Sequence, residues 1–547
     1  MIVKGWTILM IGLAMAAGQG MMKQTAFVRK GEAKLVESMD SLVQERGWAQ
    51  VPPGKFLTGG LMHAGGDFRV RARLRIFNLA KSAATFVLGG INHFGFEGRE
   101  GQTFVEGPLF GGPAKLLGQN RYVKEGEWFT FDAIGKDGII RFLINGKEVA
   151  RAPFAGDSLG TLAFRSHRST MQVRDFLYHG KTAGIPTPPK DTVVFSGANF
   201  EVEGHKYNRV RIPAIVMTTR GTLLAFAEGR VGGDSGNIDI ILRRSGDLGK
   251  TWSAPQTVWS DGDNTCGNPC AVVDHDTGTV WLLLTWNLGS DHEKTIMAGT
   301  SKDVRHAYVT SSDDDGQTWA EPKRLDHLRK PHWRWYATGP GNAIQLTRGK
   351  YKGRLLIPAN HSDHESGGHP YRSHVFYSDD HGETWQLGGV LDDRTNEAAA
   401  VERSDGSVLL SMRSYHGKHN RAMAVSEDGG KMWGPVYLDN ALQTPVCQGS
   451  ILRYSWAEEK DKGGKSRILF SGPAGSGRTH LTVRVSYDEG KIWPVSKVVN
   501  PGRSAYSNLV ALPDGMIGVL YERGDIAFVT FSLEWLEGSA STAVESR

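Results

Sequence analysis

The chain has 547 residues, enough for more than one domain, and its 39% hydrophobic and 9% aromatic content is that of a globular protein with sizeable cores. Its formal charge of +6 is modest and its acidic and basic residues are intermixed, which argues against a nucleic-acid partner while favouring an anionic small ligand. Three cysteines, Cys266, Cys270 and Cys447, are an odd count without the partners of a zinc site, so no disulfide framework is expected to hold the fold.

Residues 1–20, MIVKGWTILMIGLAMAAGQG, carry one lysine, an apolar run from Trp6 to Ala17 and small residues at Ala16, Ala17 and Gly18. That is the plan of a signal peptide, too short for a comfortable membrane span, and it predicts a secreted or periplasmic protein. No later segment has eighteen uninterrupted apolar residues, so no integral membrane segment is expected after signal removal. Residues 21–180 hold alternating stretches such as FRVRARLRIF and STMQVRDFLYHG, with IGKDG and INGKEV as hairpin turns. The pattern resembles the jelly-roll sandwiches of the concanavalin-like lectin and laminin-G type, so a β-sandwich accessory domain is predicted there. KTAGIPTPPK, residues 181–190, reads as a linker stiffened by proline. Short apolar runs broken by Gly, Asp, Asn and Pro continue from 191 to about 540, and the whole chain is predicted to be all-β.

Past the linker one octet recurs. SGDLGKTW, SDDDGQTW, SDDHGETW, SEDGGKMW and SYDEGKIW begin at Ser245, Ser312, Ser378, Ser426 and Ser486, all fitting S-x-D-x-G-x-x-W, with starts 67, 66, 48 and 60 residues apart. Each interval is the length of a four-stranded blade, and such a period argues for a propeller or solenoid. The carboxylate spacing of SDDDGQTW suggests a calcium loop, but the sibling copies do not keep the paired carboxylates. The constant parts are those of a turn: Asp accepts backbone N–H bonds, Gly takes positive φ, and Trp plugs the space between neighbouring sheets. The octets resemble the Asp boxes of the sialidase family, which fold hairpins on the rim away from the active site; Met432 and Ile492 depart from the usual Thr in copies four and five.

A second pattern is independent of the repeat. Its pieces are YNRVRIPAIV with Arg211, LLAFAEGRVGGDSG with Arg230 and Asp234, TNEAAAVERSDGSVLLSMRS with Glu397 and Arg413, SGPAGSGRTHLTVRVS with Arg478, and RSAYSNLVALPDGMIGVLYE with Tyr506 and Glu522. Their order resembles that in sialidases of glycoside hydrolase family 33, with RIP similar to the family's Arg-Ile-Pro signature. The resemblance spans about 350 residues, which at typical blade length implies a six-bladed β-propeller. It implies an exo-α-sialidase, a retaining hydrolase of terminal sialic acids on sialylated glycans, glycoproteins or glycolipids, with no cofactor.

The resemblance also implies roles. Arg211, Arg413 and Arg478 would form a triad around the substrate carboxylate, which planar guanidinium groups bind through paired, charge-assisted hydrogen bonds. Glu522 would orient Arg211, and Arg230 would reach a ring hydroxyl. Because that substrate carboxylate repels an anionic nucleophile, a phenol suits the reaction: Tyr506 would attack while Glu397 takes its proton. Asp234, on a glycine-flanked loop, would be acid in the first step and base in the second. Glu402 is the rival to Glu397; the 16 residues from Glu397 to Arg413 match the spacing that the family resemblance implies and so favour Glu397, although strand alternation does not itself exclude Glu402. Transfer to another sugar, a related ulosonic acid as substrate, and a sialic-acid-binding propeller without catalysis are the alternatives. The five histidines between residues 361 and 382 contain no H-E-x-x-H and are read as a solvated loop, with no metal site expected. Residues 333–346, WRWYATGPGNAIQL, resemble a family segment whose upstream loop lines the pocket, so Trp335 and Tyr336 could touch the sugar's glycerol or acyl arms, but propeller packing explains them equally well.

Overall fold

The computed structural model describes residues 22–26, 49–51 and 55–537, apart from short breaks at 64, 80–82, 89–91, 99–100, 155–158, 181, 184–188, 366–367 and 475–476. The predicted signal peptide, 1–20, lies outside the described residues. The chain is all-β and divides into two compact units, 1–185 and 186–547. Among the described residues no helix is long and apolar enough to cross a membrane.

In the first unit the strand Phe68–Phe77 buries Phe68, Val70, Ala72, Leu74 and Ile76 and leaves the four intervening arginines more exposed, the period of two expected of a half-buried strand. Asp137-Gly138 and Asn145-Gly146 have φ of 54° and 76°, and 50° and 79°, the left-handed pairs of two-residue hairpin turns. The unit contains two seven-stranded sheets. They share one core, in which Phe86 of one sheet meets Phe131 of the other with ring centroids 4.9 Å apart.

In the second unit the strands form sheets of four, five and nine members and one two-stranded hairpin, and within the larger sheets antiparallel groups of four recur, the first two groups being joined by a parallel pairing of Ile238 with Thr265. The first group is Arg209–Met217, Leu223–Arg230, Ile238–Ser245 and Gln256–Trp259. The last, Ser507–Ala511, Ile517–Glu522 and Ile526–Phe531, takes its fourth strand from the start of the unit, where Thr192–Phe195 pairs with Ile526–Phe531. Sequence reading did not find that strand, because nothing in TVVF says which distant edge it will join.

The octets link each group to the one before it. In the first, Asp247 accepts from the Thr251 backbone at 2.9 Å and hydroxyl at 2.6 Å, and Ser245 Oγ accepts from the Gly249 N–H at 2.8 Å. Trp252 packs against Phe528 of the last group at 5.5 Å, Trp319 against Phe226 of the first at 5.6 Å, and Trp385 against Trp281 of the second at 6.0 Å. The glycine is required twice over: Gly249 has φ of +86°, and a Cβ there would lie 2.2 Å from the Phe528 ring. Trp385 is buried and stabilises by about 3–5 kcal/mol against truncation to alanine, whereas Trp252 and Trp319 are partly buried and contribute less. Copies four and five close in the same way, the N–H groups of Met432 and Ile492 bonding Asp428 at 2.8 Å and Asp488 at 2.9 Å, so a threonine hydroxyl is not needed for the turn. The cysteines are buried free thiols.

These turns carry a pH signature. Burial would raise the Asp314 carboxyl, but hydrogen bonds from Thr318, Ser312 and Gln317 hold it at about 2 against an ordinary 3.8. A carboxyl depressed by folding stabilises fully above its unfolded pKa, and that contribution is lost as pH falls through the folded value. The urea midpoint should therefore fall between pH 4 and pH 2, and Asp314→Asn should lower the midpoint at neutral pH and flatten this slope.

Candidate active site

Strand register separates the boxes from the candidate residues. Leu223 pairs with Ser245, where the first octet begins, whereas Arg230 pairs with Ile238 at the opposite end. Likewise Glu402 pairs with Val408, which pairs with Ser426 of an octet, while Thr395 pairs with Ser414 at the other end. Glu402 is thus at the box end, bonded to Thr347 and the Arg348 N–H, and Glu397 lies towards the end that carries Arg413.

Arg211-Ile212-Pro213 forms a break in the ladder. The register of Arg209–Met217 shifts between Arg211 and Ala214, and Ile212 has φ of 59°. Proline has no N–H to give the ladder, so a bulge is where a strand tolerates it. Glu522, from the last group, fastens this bulge: one oxygen accepts the Ile212 N–H at 2.8 Å and the other accepts Arg211 Nη2 at 3.2 Å.

Tyr506 is the centre of the arrangement. It is buried, and its hydroxyl donates to Glu397 Oε1 through a short hydrogen bond. Arg413 Nη1 reaches the other carboxylate oxygen at 2.9 Å and the phenol oxygen at 3.2 Å. The guanidinium carbons of Arg211 and Arg478 stand 5.2 and 5.5 Å from the tyrosine ring centroid. Arg478 is exposed and bonds the Val446 carbonyl at 3.3 Å; among the described residues it has no carboxylate partner. Burial first, then the Glu397 charge, push the Tyr506 phenol well above its ordinary range, with Arg413 opposing. The phenol is therefore neutral at rest.

Asp234 is 82% exposed on the loop after Leu223–Arg230, ion-paired to Arg230 and 3.6 Å from Arg211. What desolvation it meets would raise its pKa, but the charge and hydrogen bond of Arg230, with Arg211 and Arg209, hold the carboxyl below its ordinary value. All eight candidates, from three arginines of the triad to Glu522, thus fall into one connected set around Tyr506 and Asp234.

Sequence reading missed several neighbours. Glu228 is buried, bonds Arg230 Nε at 2.7 Å, and accepts the Asn268 N–H at 2.7 Å. Its signal was present, since residues two apart on a strand share a face. Tyr415 lies under Arg413 at 5.3 Å and stacks with His369 and Tyr371 at 5.1 and 5.3 Å, a contact between distant segments that no local pattern announces. The reading of the histidine segment as solvated fails for two of its members: His361 and His374 are buried, 3.0 Å apart, against Trp333 and Tyr336. Burial lowers both imidazoles, His374 to about 3. Tyr336 belongs to this core, and Trp335 lies beneath Arg305 at 4.3 Å. Asp274, Asp276 and His381 bring three ligand atoms within 4.8 Å, but Asp274 is already bonded by Thr277, Gln345 and His381.

Residues 221–519 match the family described as BNR repeat-like domain. The chain is 36% identical over 370 residues to a sialidase of Micromonospora viridifaciens, a match covering 65% of this chain and 56% of that protein, little more than half its length. It is 32% identical over 373 residues to an exo-alpha-sialidase of Arthroderma benhamiae, covering 62% of this chain and 82% of the relative. Among solved structures a Hadza microbial sialidase aligns with a TM-score of 0.55 at 23% identity, over 89% of this chain and 96% of the other, a likeness of fold.

The carboxyl of Asp234 gives a direct check on the local field. In a carbon-detected titration its midpoint should lie below the ordinary 3.8, and Arg230→Met should move it upward, because desolvation then acts with one cation fewer against it.

Proposed function

The chain belongs to the sialidase family of glycoside hydrolases, and from that premise we propose that it is an exo-α-sialidase, releasing terminal α-linked sialic acids from glycans, glycoproteins or glycolipids with retention at the anomeric carbon. The observation that carries this reading is the neutral phenol of Tyr506, hydrogen-bonded to Glu397 among the guanidinium groups of Arg211, Arg413 and Arg478. Sialic acid bears a carboxylate on the carbon to be attacked. Three arginines suit that carboxylate, and a phenol avoids bringing a second anion against it. A tyrosine nucleophile is already the recognised sialidase exception to the two-carboxylate scheme of glycosidases, so the assignment applies that scheme to these residues.

In the first step the Tyr506 oxygen forms a bond to the anomeric carbon while its proton passes to Glu397. The glycosidic bond breaks, and Asp234 donates a proton to the leaving oxygen. In the second, water loses a proton to Asp234 and attacks the same carbon, the bond from that carbon to the Tyr506 oxygen breaks, and the released phenolate recovers its proton from Glu397. Two inversions leave the configuration unchanged. Asp234 must be protonated to begin, although Arg230 and Arg211 favour its carboxylate in the free protein. Substrate supplies the correction: its own carboxylate engages Arg211, and its ring excludes water from the loop, both of which raise the Asp234 pKa. Glu522 positions Arg211, and Arg230 is assigned to a ring hydroxyl.

The same reading takes 191–540 as a six-bladed propeller. It is supported by the box tryptophans that pack on preceding groups and by Thr192–Phe195 completing the last group. Residues 21–180 are taken as a β-sandwich accessory domain, supported by two sheets with a common core, and 181–190 as the linker between them. Export through a signal peptide at 1–20 rests on the apolar run there.

Hydrolysis of an aryl α-glycoside of N-acetylneuraminic acid tests the proposal. Tyr506→Phe should abolish most turnover while retaining binding of the free acid, and Glu397→Gln should cost on the order of 10²–10⁴-fold in kcat. Arg478→Lys should raise KM strongly, because one ammonium cannot replace a planar fork. Glu402→Gln should leave turnover per folded molecule near the parent value. Undiminished turnover in Tyr506→Phe would reject the nucleophile, and a large loss in Glu402→Gln alone would reject the base.

A further inference from the structure

Gln448 lies two residues before the strand Ser450–Ser455 and is 2% exposed. Its carboxamide oxygen accepts the Ser507 N–H at 3.1 Å, and Nε2 donates to the Ser507 carbonyl at 3.1 Å and to the Pro340 carbonyl at 3.3 Å. Ser507 follows Tyr506. It pairs with Tyr521 in the ladder, yet the ladder bonds at this end belong to its neighbours: Glu522 N–H donates to the Tyr506 carbonyl at 2.9 Å, and Ala505 N–H to the Glu522 carbonyl at 3.0 Å. Both polar backbone groups of Ser507 meet Gln448, whose amide does what a neighbouring strand would do.

The other end of this bridge leads to the base. Gly339, next to Pro340, accepts the Ala398 N–H at 3.0 Å, and Ala398 follows Glu397. One buried side chain therefore connects the backbone beside Tyr506 to the turn that holds the backbone beside Glu397. The flanking residues reinforce it. Val446 offers its carbonyl to Arg478, and Cys447 packs in a buried cluster with Ile212, Ala505 and Tyr506. The Cys447 carbonyl accepts Arg421 Nη1 at 2.8 Å, from a guanidinium that is itself completely buried.

We propose that Gln448 is a positioning residue that fixes the separation of Tyr506 from Glu397, acting through Ser507 and the 339–340 turn rather than by touching substrate. The inference rests on Tyr506 and Glu397 being the nucleophile and its base. Its amide uses both N–H groups and one oxygen lone pair, so a side chain of equal length without them loses every link. Because a misplacement of about 1 Å can cost about 10²-fold in rate, the loss falls on the chemical step and not on capture of the substrate carboxylate.

The test is steady-state hydrolysis of an aryl α-glycoside of N-acetylneuraminic acid by the full-length protein, with Gln448→Met and Gln448→Glu. Gln448→Met is expected to lower kcat by about 10–100-fold with KM within about twofold of the parent. Parental kcat, or a loss confined to KM, overturns the proposal. Gln448→Glu supplies a second reading that does not depend on the methionine variant folding. Ionised, its carboxylate accepts from Ser507 and donates nothing; protonated, it donates one bond again, so its kcat relative to the parent should rise as pH falls. A ratio flat with pH overturns the positioning role. Tyr506→Phe separates the two levels: full turnover in that variant would sink the nucleophile reading and this inference with it, whereas a dead Tyr506→Phe beside a parental Gln448→Met would sink this inference alone.

Discussion

The hydrogen bond between the Tyr506 hydroxyl and Glu397 is the contact on which the remaining geometry turns. A carboxylate and a phenol are both buried there, and neither is tolerable in that position without donors to meet it. Arg413 meets both, while Arg211 and Arg478 stand over the ring without touching Glu397. Removing one partner of such a group costs more than the pair contributes in net stability, because the other is left desolvated and unpaired. The cluster is therefore a constraint on the fold as well as a candidate site, and distant segments must arrive together to satisfy it.

The octets and the candidate site residues lie at opposite strand ends. At one end the octets tie each four-strand group to its predecessor through tryptophan packing and glycines that admit no side chain. At the other, strands end in bulges and short loops that free side chains from the ladder. Arg211 emerges at a bulge that Glu522 fastens from the last group, and Glu397 lies beside a register shift between Thr395 and Ala398. Regular pairing would bury or splay such residues; a bulge re-aims them. Asp234 differs from the rest, being exposed on a glycine-flanked loop with its charge held by two arginines. On the proposed mechanism this is the group whose proton must come and go, and access to solvent is what that role requires.

Much of this was legible in the sequence because it recurs or because it is charged. Five copies of one octet announce a repeat, and alternation in FRVRARLRIF announces a strand with its faces assigned. The ordered arginines and carboxylates carry the site, and Glu228, two residues before Arg230, was readable from the same alternation. Other features depend on tertiary pairing. Thr192–Phe195 joins a strand more than three hundred residues away. Gln448 carries no charge, belongs to no repeat and acts on a backbone 59 residues on. His361 and His374 looked like parts of a polar loop, and only their strand register turns them into the core beside Trp333 and Tyr336. Neutral hydrogen-bonding groups and long-range edges leave little mark on composition, whereas charge and repetition leave a great deal.

The most direct measurement is a proton NMR time course of the purified protein with an aryl α-glycoside of N-acetylneuraminic acid, recorded quickly enough to see which anomer is released before mutarotation. Two displacements at one carbon, the first by Tyr506, predict that the α-anomer appears first and the β-anomer grows in later. Release of the β-anomer first would contradict the covalent mechanism, and absence of cleavage across the pH range would contradict the sialidase assignment itself.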